Sequence, residues 1–266
     1  MKSQHNPLIN LRYWVLINLV SILGTNTGDL MVRLFRQIFG EQTQVLALKH
    51  FGPFPILLVI FLLVYFLERR SERPQESFFW ALILIIRTAA TNVADVLSDD
   101  LSLSLIKIVL LLGLPFLAYA FYWQSQRCKP VITPFVPETP WSYWGAMMLA
   151  GVLGTAIGDA LWQAMGLSMA AVLLSIGTGI IVIAGYRSYL AVTAFYWVGV
   201  LLARITGTGV GDWLAKSTER GGSGLNLYTA TLVSTLVFII VALSWKSKGS
   251  EQIPSEVNEL APDLRG

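Results

Sequence analysis

Charge is scarce in this sequence and cysteine almost absent. Only 13% of its 266 residues are charged, and Cys128 is the single cysteine. One thiol excludes an intramolecular disulfide framework and a cysteine-based metal site. The two histidines, His5 and His50, are not spaced as a metal pair. There is no glycine-rich phosphate loop of the ATPase type and no serine or cysteine hydrolase motif, so ATP-driven transport by this chain alone and that hydrolytic chemistry are not expected. No cofactor is expected either. So few charges cannot cover a water-soluble domain. What the sequence has instead is apolar length: hydrophobic residues make up 55% of the chain, and the mean hydropathy is +0.62. Apolar stretches of about 20 residues, enough to cross a bilayer core about 30 Å thick, recur along it. The net charge of +3 comes from Lys and Arg in short loops between these stretches. That is a topology signal and not the footprint of a nucleic-acid partner.

Four segments of the chain repeat one another: YWVLINLVSILGTNTGD, FWALILIIRTAATNVAD, YWGAMMLAGVLGTAIGD and YWVGVLLARITGTGVGD. An aromatic pair (Tyr13/Trp14, Phe79/Trp80, Tyr143/Trp144, Tyr196/Trp197) always precedes an aspartate (Asp29, Asp95, Asp159, Asp212) by the same distance. Four residues before each aspartate stands a threonine: Thr25, Thr91, Thr155 and Thr208. The positions five and one before it are always small: Gly24/Gly28, Ala90/Ala94, Gly154/Gly158 and Gly207/Gly211. Periods of this size mark repeat architectures.

The spacing between aspartates allows one motif helix and one returning helix per copy. It predicts an all-α membrane protein of eight transmembrane helices from four parallel two-helix repeats, with spans near 12–31, 50–67, 78–97, 103–123, 141–161, 167–186, 190–215 and 225–245. Pro53 and Pro55 interrupt the second of these. Residues 1–128 form a first half (repeats one and two), 129–140 a proline-rich connector, 141–245 a second half (repeats three and four), and 246–266 a disordered tail. Basic residues concentrate on the side holding both termini, among them Arg69, Arg70, Arg73, Arg127 and Arg187, against Arg33, Arg36, Lys49, Lys216 and Arg220 opposite. The positive-inside rule then gives a multi-pass inner-membrane protein with both termini cytoplasmic, the aromatic pairs at the cytoplasmic interface and the aspartates about 22 Å further along each helix. Leu30 to Phe39 reads as a separate interfacial helix on the outer surface.

The recurrent GTxxGD with a tryptophan fifteen residues earlier, in Gly24 to Asp29, Gly154 to Asp159 and Gly207 to Asp212, with GGSGLNL from Gly221, resembles a family of bacterial integral membrane proteins. These are the uncharacterised membrane-anchored proteins defined by a repeat of unknown function, and the resemblance covers essentially the whole chain. It implies no activity. Members often carry an acidic residue directly after the first glycine of copy one, where this chain has Thr25. Any metal site that counted on that carboxylate loses a ligand here.

Ionisable residues within a membrane normally face the bundle interior and pair there. Arg87 and Arg204 stand eight residues before their aspartates, in register with Thr91/Asp95 and Thr208/Asp212, so each motif helix presents one polar stripe. Arg87 and Asp95 are about 12 Å apart along the axis, so each is expected to bond a neighbouring helix or a ligand. Converging stripes predict a polar cavity for a small solute, and four carboxylates at one depth suit a cation: a divalent metal, bound by hard oxygen ligands, or a proton-coupled ion. The identity of any metal stays open. The candidate substrate-binding residues are Asp29, Asp95, Asp159, Asp212, Thr25, Thr91, Thr155, Thr208, Arg87 and Arg204. The leading expectation is a secondary transporter or permease whose partners are the lipid bilayer and a small ion or solute. Alternatives left open are a structural or interaction membrane protein, a permease for a small anion held by Arg87 and Arg204, and an intramembrane enzyme with paired aspartates. The plain expectations for the same residues are helix packing for the small-xxx-small pairs, backbone bonding for the threonines and interface anchoring for the tryptophans.

Overall fold

The computed structural model describes residues 7–40, 50–71, 75–127, 136, 139–187 and 191–245. Among them the chain is all-helical: α1 Leu11–Phe39, α2 Phe54–Arg70, α3 Glu76–Asp95, α4 Leu105–Arg127, α5 Trp141–Met165, α6 Leu167–Arg187, α7 Ala191–Ala215 and α8 Leu227–Ser244. The tail from 246 and most of the 129–140 connector lie outside the described residues. Five of these helices are long and apolar enough to cross a membrane: α1, α3 with the turn that follows it, α4, α5 and α8.

The helix ends follow local chemistry. Asn10 caps α1 by accepting from the Tyr13 amide at 3.0 Å, and Asn226 caps α8 by accepting from the Thr229 amide at 2.9 Å. Pro53 and Pro55 do not break the second helix. They stand at its start, where a missing N–H costs nothing, so α2 begins at Phe54 and not at 50. Gly166 alone separates α5 from α6, and its φ of 86° is one that glycine tolerates. Leu30 to Phe39 is not a separate surface helix. Nothing between Asp29 and Phe39 breaks the helix, so α1 runs unbroken to Gly40. It is about 43 Å long, more than a membrane core about 30 Å thick requires. After Asp95 the third helix continues as one π turn, Val96–Asp100, with the Leu101 amide donating to the Val96 carbonyl at 2.8 Å.

The four motif helices form a closed ring. α1 packs on α3 and α7, and α5 packs on the same two. The returning helices lie outside it, each against the motif helix of the next copy: α2 on α3, α4 on α5, α6 on α7, and α8 back on α1. α6 also touches α5, and α8 also touches α7. The outer helices turn large apolar side chains outward, including Val59 and Leu63, Ile106 and Leu114, Ile176 and Ile180, and Leu236 and Ile240. An apolar belt of this extent suits lipid and not water.

The ring closes tightly because its seams hold almost no side chain. A Cβ on Gly24 would run into the Arg87 side chain, one on Gly154 into Arg204, and one on Gly207 into Ser21. One turn on, a Cβ on Gly28 would lie 2.9 Å from the Thr91 Cβ, and one on Gly158 equally close to the Thr208 Cβ. The same rule therefore operates at three seams: the small residue five before the aspartate admits the residue eight before the aspartate of the next copy. At the α3–α5 seam the roles are exchanged. Ala90 supplies the methyl, and Gly151 is the residue that a Cβ would push into it.

That exchange is directly testable. Gly151→Ala is expected to destabilise the detergent-solubilised protein by about 1–3 kcal/mol through overpacking. Adding Ala90→Gly in the same chain is expected to restore most of the loss in a thermal-unfolding measurement. Gly145→Ala, with no atom within 4 Å of the added Cβ, is expected to leave stability unchanged or slightly raised.

Candidate functional site

Viewed along the ring axis, the motif side chains meet in tiers. At the aromatic end Tyr13, Phe79, Tyr143 and Tyr196 converge. The Tyr196 hydroxyl is hydrogen-bonded to those of Tyr13 at 2.8 Å and Tyr143 at 2.7 Å, and Phe79 takes the fourth place without a hydroxyl. The tryptophans are not exposed interface anchors. Trp14, Trp80, Trp144 and Trp197 are 2–6% exposed, and each sets its ring edge-on to the aromatic residue before it. Small neighbours make this possible: Gly199 leaves the space that Trp14 occupies.

The next two tiers are built around the arginines, both with no accessible surface. Arg204 extends toward the aromatic end, donating from Nη1 to Ser21 Oγ at 3.0 Å and meeting Met147 Sδ at 3.7 Å. Arg87 extends the other way and gathers all four motif threonines. Its Nη1 donates to Thr91 Oγ1 at 3.0 Å and Thr155 Oγ1 at 2.8 Å, and its Nη2 to Thr25 Oγ1 and Thr208 Oγ1, both at 2.7 Å. Thr25, Thr91 and Thr208 commit their own hydrogens to the backbone carbonyl four residues back. Their lone pairs are thereby turned toward the guanidinium. Among the described residues neither arginine makes an ion pair, although Asp29, Asp159 and Asp212 act on Arg87 electrostatically.

Beyond this layer the four motif aspartates open onto one cavity of about 220 Å³. Its lining also includes the four threonines, Asp99, Trp162, Gln163 and Lys216. A wider vestibule of about 810 Å³ shares Asp29, Asp95 and Lys216 with it and adds Arg33, Arg36, His50, Glu219 and Arg220. The candidate residues thus divide. The aspartates and threonines line the cavity, and the two arginines line neither space: Arg87 backs the threonine floor from beneath, while Arg204 points away toward the tyrosines. Asp212 is paired with Lys216 at 2.7 Å, and Asp159 accepts from Trp162 Nε1 at 3.3 Å. No three carboxylate or imidazole side chains converge closely enough for a metal among the described residues.

Lys216, Gln163 and Asp99 were not among the candidates expected from the sequence, yet a register signal points to them. Each stands four residues after a motif aspartate, one helical turn further on, and Arg33 is the matching residue of copy one. The position holds a different chemistry in every copy, so it does not stand out as a repeat. On the vestibule side, Asp100 accepts from the His50 amide at 2.9 Å and contacts the His50 Nδ1 at 3.1 Å. Arg36 Nη2 meets the His50 Nε2 at 3.2 Å, which ties the end of α1 to the π turn.

The family described as Repeat of Unknown Function (DUF347) matches residues 195–250, the fourth two-helix copy. No curated protein and no solved structure matches the chain.

The floor makes a sharp expectation. Arg87 Nη2 also reaches the Arg204 carbonyl at 3.4 Å, so Thr208→Val or Thr25→Val replaces a 2.7 Å hydroxyl acceptor with only that longer contact and is expected to cost about 1–3 kcal/mol. Serine in either place keeps the hydroxyl and is expected to recover most of that cost. Thermal or denaturant unfolding in detergent measures both.

Proposed function

We propose that the chain is a membrane permease for a small cation, built from four parallel repeats of one family and spanning a bacterial inner membrane eight times with both termini cytoplasmic. The observation that carries this reading is the charge balance of the smaller cavity. Five carboxylates, those of Asp29, Asp95, Asp99, Asp159 and Asp212, surround it against a single ammonium, that of Lys216. Asp29 and Asp95 make no hydrogen bond or ion pair among the described residues. Carboxylates in such a place are costly unless a cation or a proton joins them. The vestibule on the aspartate side gives that cation a way in, and the Arg87 floor closes the way on.

The anion alternative would need Arg87 to release four threonines, and neither arginine lines the cavity or the vestibule, so the geometry favours the cation. A purely structural reading draws its support from the lower tiers, where every arginine and threonine contact is a packing or hydrogen-bonding one. The two readings separate at the aspartates, because the upper tier is not needed to close the seams.

Reconstituted proteoliposomes test the proposal. Asp29→Asn and Asp95→Asn are expected to reduce cation flux at least tenfold while the thermal midpoint moves little. A parent protein that moves no inorganic or organic cation, or variants that transport like the parent, would remove the permease reading.

A further inference from the structure

We infer that the carboxylate cavity is a seat for a primary alkylammonium and that Lys216 is its resident occupant, a tethered ammonium that an incoming cation displaces. The inference rests on the permease reading for its role and names the cargo class of that same site.

Lys216 follows the last residue of α7, and its Nζ lies 2.7 Å from Asp212 Oδ2 and 4.3 Å from the centroid of the Trp162 ring. Trp162 belongs to α5, and its Nε1 donates to Asp159 Oδ1 at 3.3 Å, which fixes the indole with its face toward the ammonium. One ammonium is thus held between a carboxylate of copy four and an aromatic face of copy three. A carboxylate combined with an indole face recognises organic ammonium ions, whose charge is attracted to the ring quadrupole. A divalent metal asks for something else: six or more oxygen ligands, or several retained waters. No group of three metal-binding side chains is assembled here among the described residues. The lysine side chain is itself an alkylammonium, so its placement demonstrates the fit of that chemical group.

Its position suits exchange. Lys216 lines both the 220 Å³ cavity and the outer vestibule, so it stands where the two meet. Its side chain keeps 27% of its exposure, and the ammonium can leave toward the vestibule without crossing the packed tiers. Swapping one ammonium for another at Asp212 leaves the net charge of the site unchanged. The buried carboxylate, only 7% exposed, is never left uncompensated, which would cost several kcal/mol. Tethering gives Lys216 an effective concentration in the millimolar range or above. A free alkylammonium therefore competes against it, and removing the lysine lifts that competition.

The test uses the purified full-length chain in detergent, with ethylammonium chloride as the probe and magnesium chloride and sodium chloride as comparators at equal ionic strength. Lys216→Ala is expected to lower the thermal midpoint. Ethylammonium is expected to restore it and to bind this variant roughly tenfold or more tightly than the parent, whereas Mg²⁺ and Na⁺ restore nothing. Lys216→Met drops the charge and keeps the stem, and gives the same readout should the alanine variant fail to fold. Adding Asp212→Asn is expected to abolish the rescue. Adding Trp162→Leu is expected to weaken ethylammonium binding roughly 3- to 30-fold without creating a response to Mg²⁺. Absence of rescue by ethylammonium, or equal rescue by Mg²⁺ or Na⁺, overturns the inference. Ethylammonium binding without flux in proteoliposomes would overturn the permease reading and leave the seat standing. Flux of Mg²⁺ or Na⁺ without ethylammonium binding would do the reverse.

Discussion

Arg87 carries a full positive charge with no exposed surface and, among the described residues, no carboxylate partner, and four threonine hydroxyls make that arrangement tolerable. Taking an ion out of water costs several kcal/mol even after relaxation, while a hydrogen bond to a charged group returns about 1.5–3 kcal/mol. One or two such bonds would leave a deficit; four bring the sum near balance. Since each hydroxyl comes from a different copy, the balance holds only if all four motif helices reach the axis at one level. The glycines and alanines along the seams serve that requirement, because bulk there would pull a threonine out of reach. The outer helices follow from it as well. A ring this tight buries the arginines and threonines of the polar stripes and leaves largely apolar backs for α2, α4, α6 and α8 to cover.

Fourfold repetition cannot be complete in such a ring, and the breaks in the pattern fall where symmetry would be impossible. Four arginines at the position eight before each aspartate would put four like charges on one axis. The sequence places arginine only in copies two and four, on α3 and α7, which face each other across the ring. Even these two diverge, Arg87 toward the threonines and Arg204 toward the tyrosine hydroxyls. The remaining two places hold Ser21, which accepts from Arg204, and Gly151, whose missing side chain admits Ala90. The tyrosine tier is broken in the same manner. Phe79 lacks the hydroxyl, so Tyr196 bridges Tyr13 and Tyr143 in a three-membered chain that has two ends instead of closing into a ring.

Much of this was legible in the sequence, for a physical reason. A strict register of Thr and Asp on one helical face, with small residues flanking it, has few explanations other than helices meeting at that face. The repeat, the polar stripes and the close helix contacts could all be read that way. The 12 Å between Arg87 and Asp95 also excluded an intrahelical bridge, which left a neighbouring helix as one of two partners for the arginine. What could not be read was which partner it chose, because a threonine bonding its own backbone and one accepting from a guanidinium look identical in sequence, and Thr25, Thr91 and Thr208 do both. The tryptophans misled in a similar way. At the end of an apolar span tryptophan marks an interface, but Gly199 and the outer aromatic residues draw these rings inward. Lys216 was hidden because its meaning lies in a position where every copy differs.

That variable position and the invariant floor divide the labour of the site. The guanidinium of Arg87 lies at the threonine level, about 6 Å below the aspartates at 1.5 Å per residue. Two unit charges at that separation repel by about 3 kcal/mol at an effective dielectric near 20. A cation entering the proposed seat is thus drawn in by the carboxylates and stopped by the charge beneath them. Passage through the ring would require Arg87 to leave its four hydroxyls, so under the proposed function the bonds that make the buried arginine tolerable would also set the height of the barrier below the proposed seat. The residues one turn above the aspartates touch none of those bonds. Arg33, Asp99, Gln163 and Lys216 can differ in charge from copy to copy without loosening the ring, so in the permease we propose selectivity would be tuned there while the floor, which holds the four copies together, stays fixed.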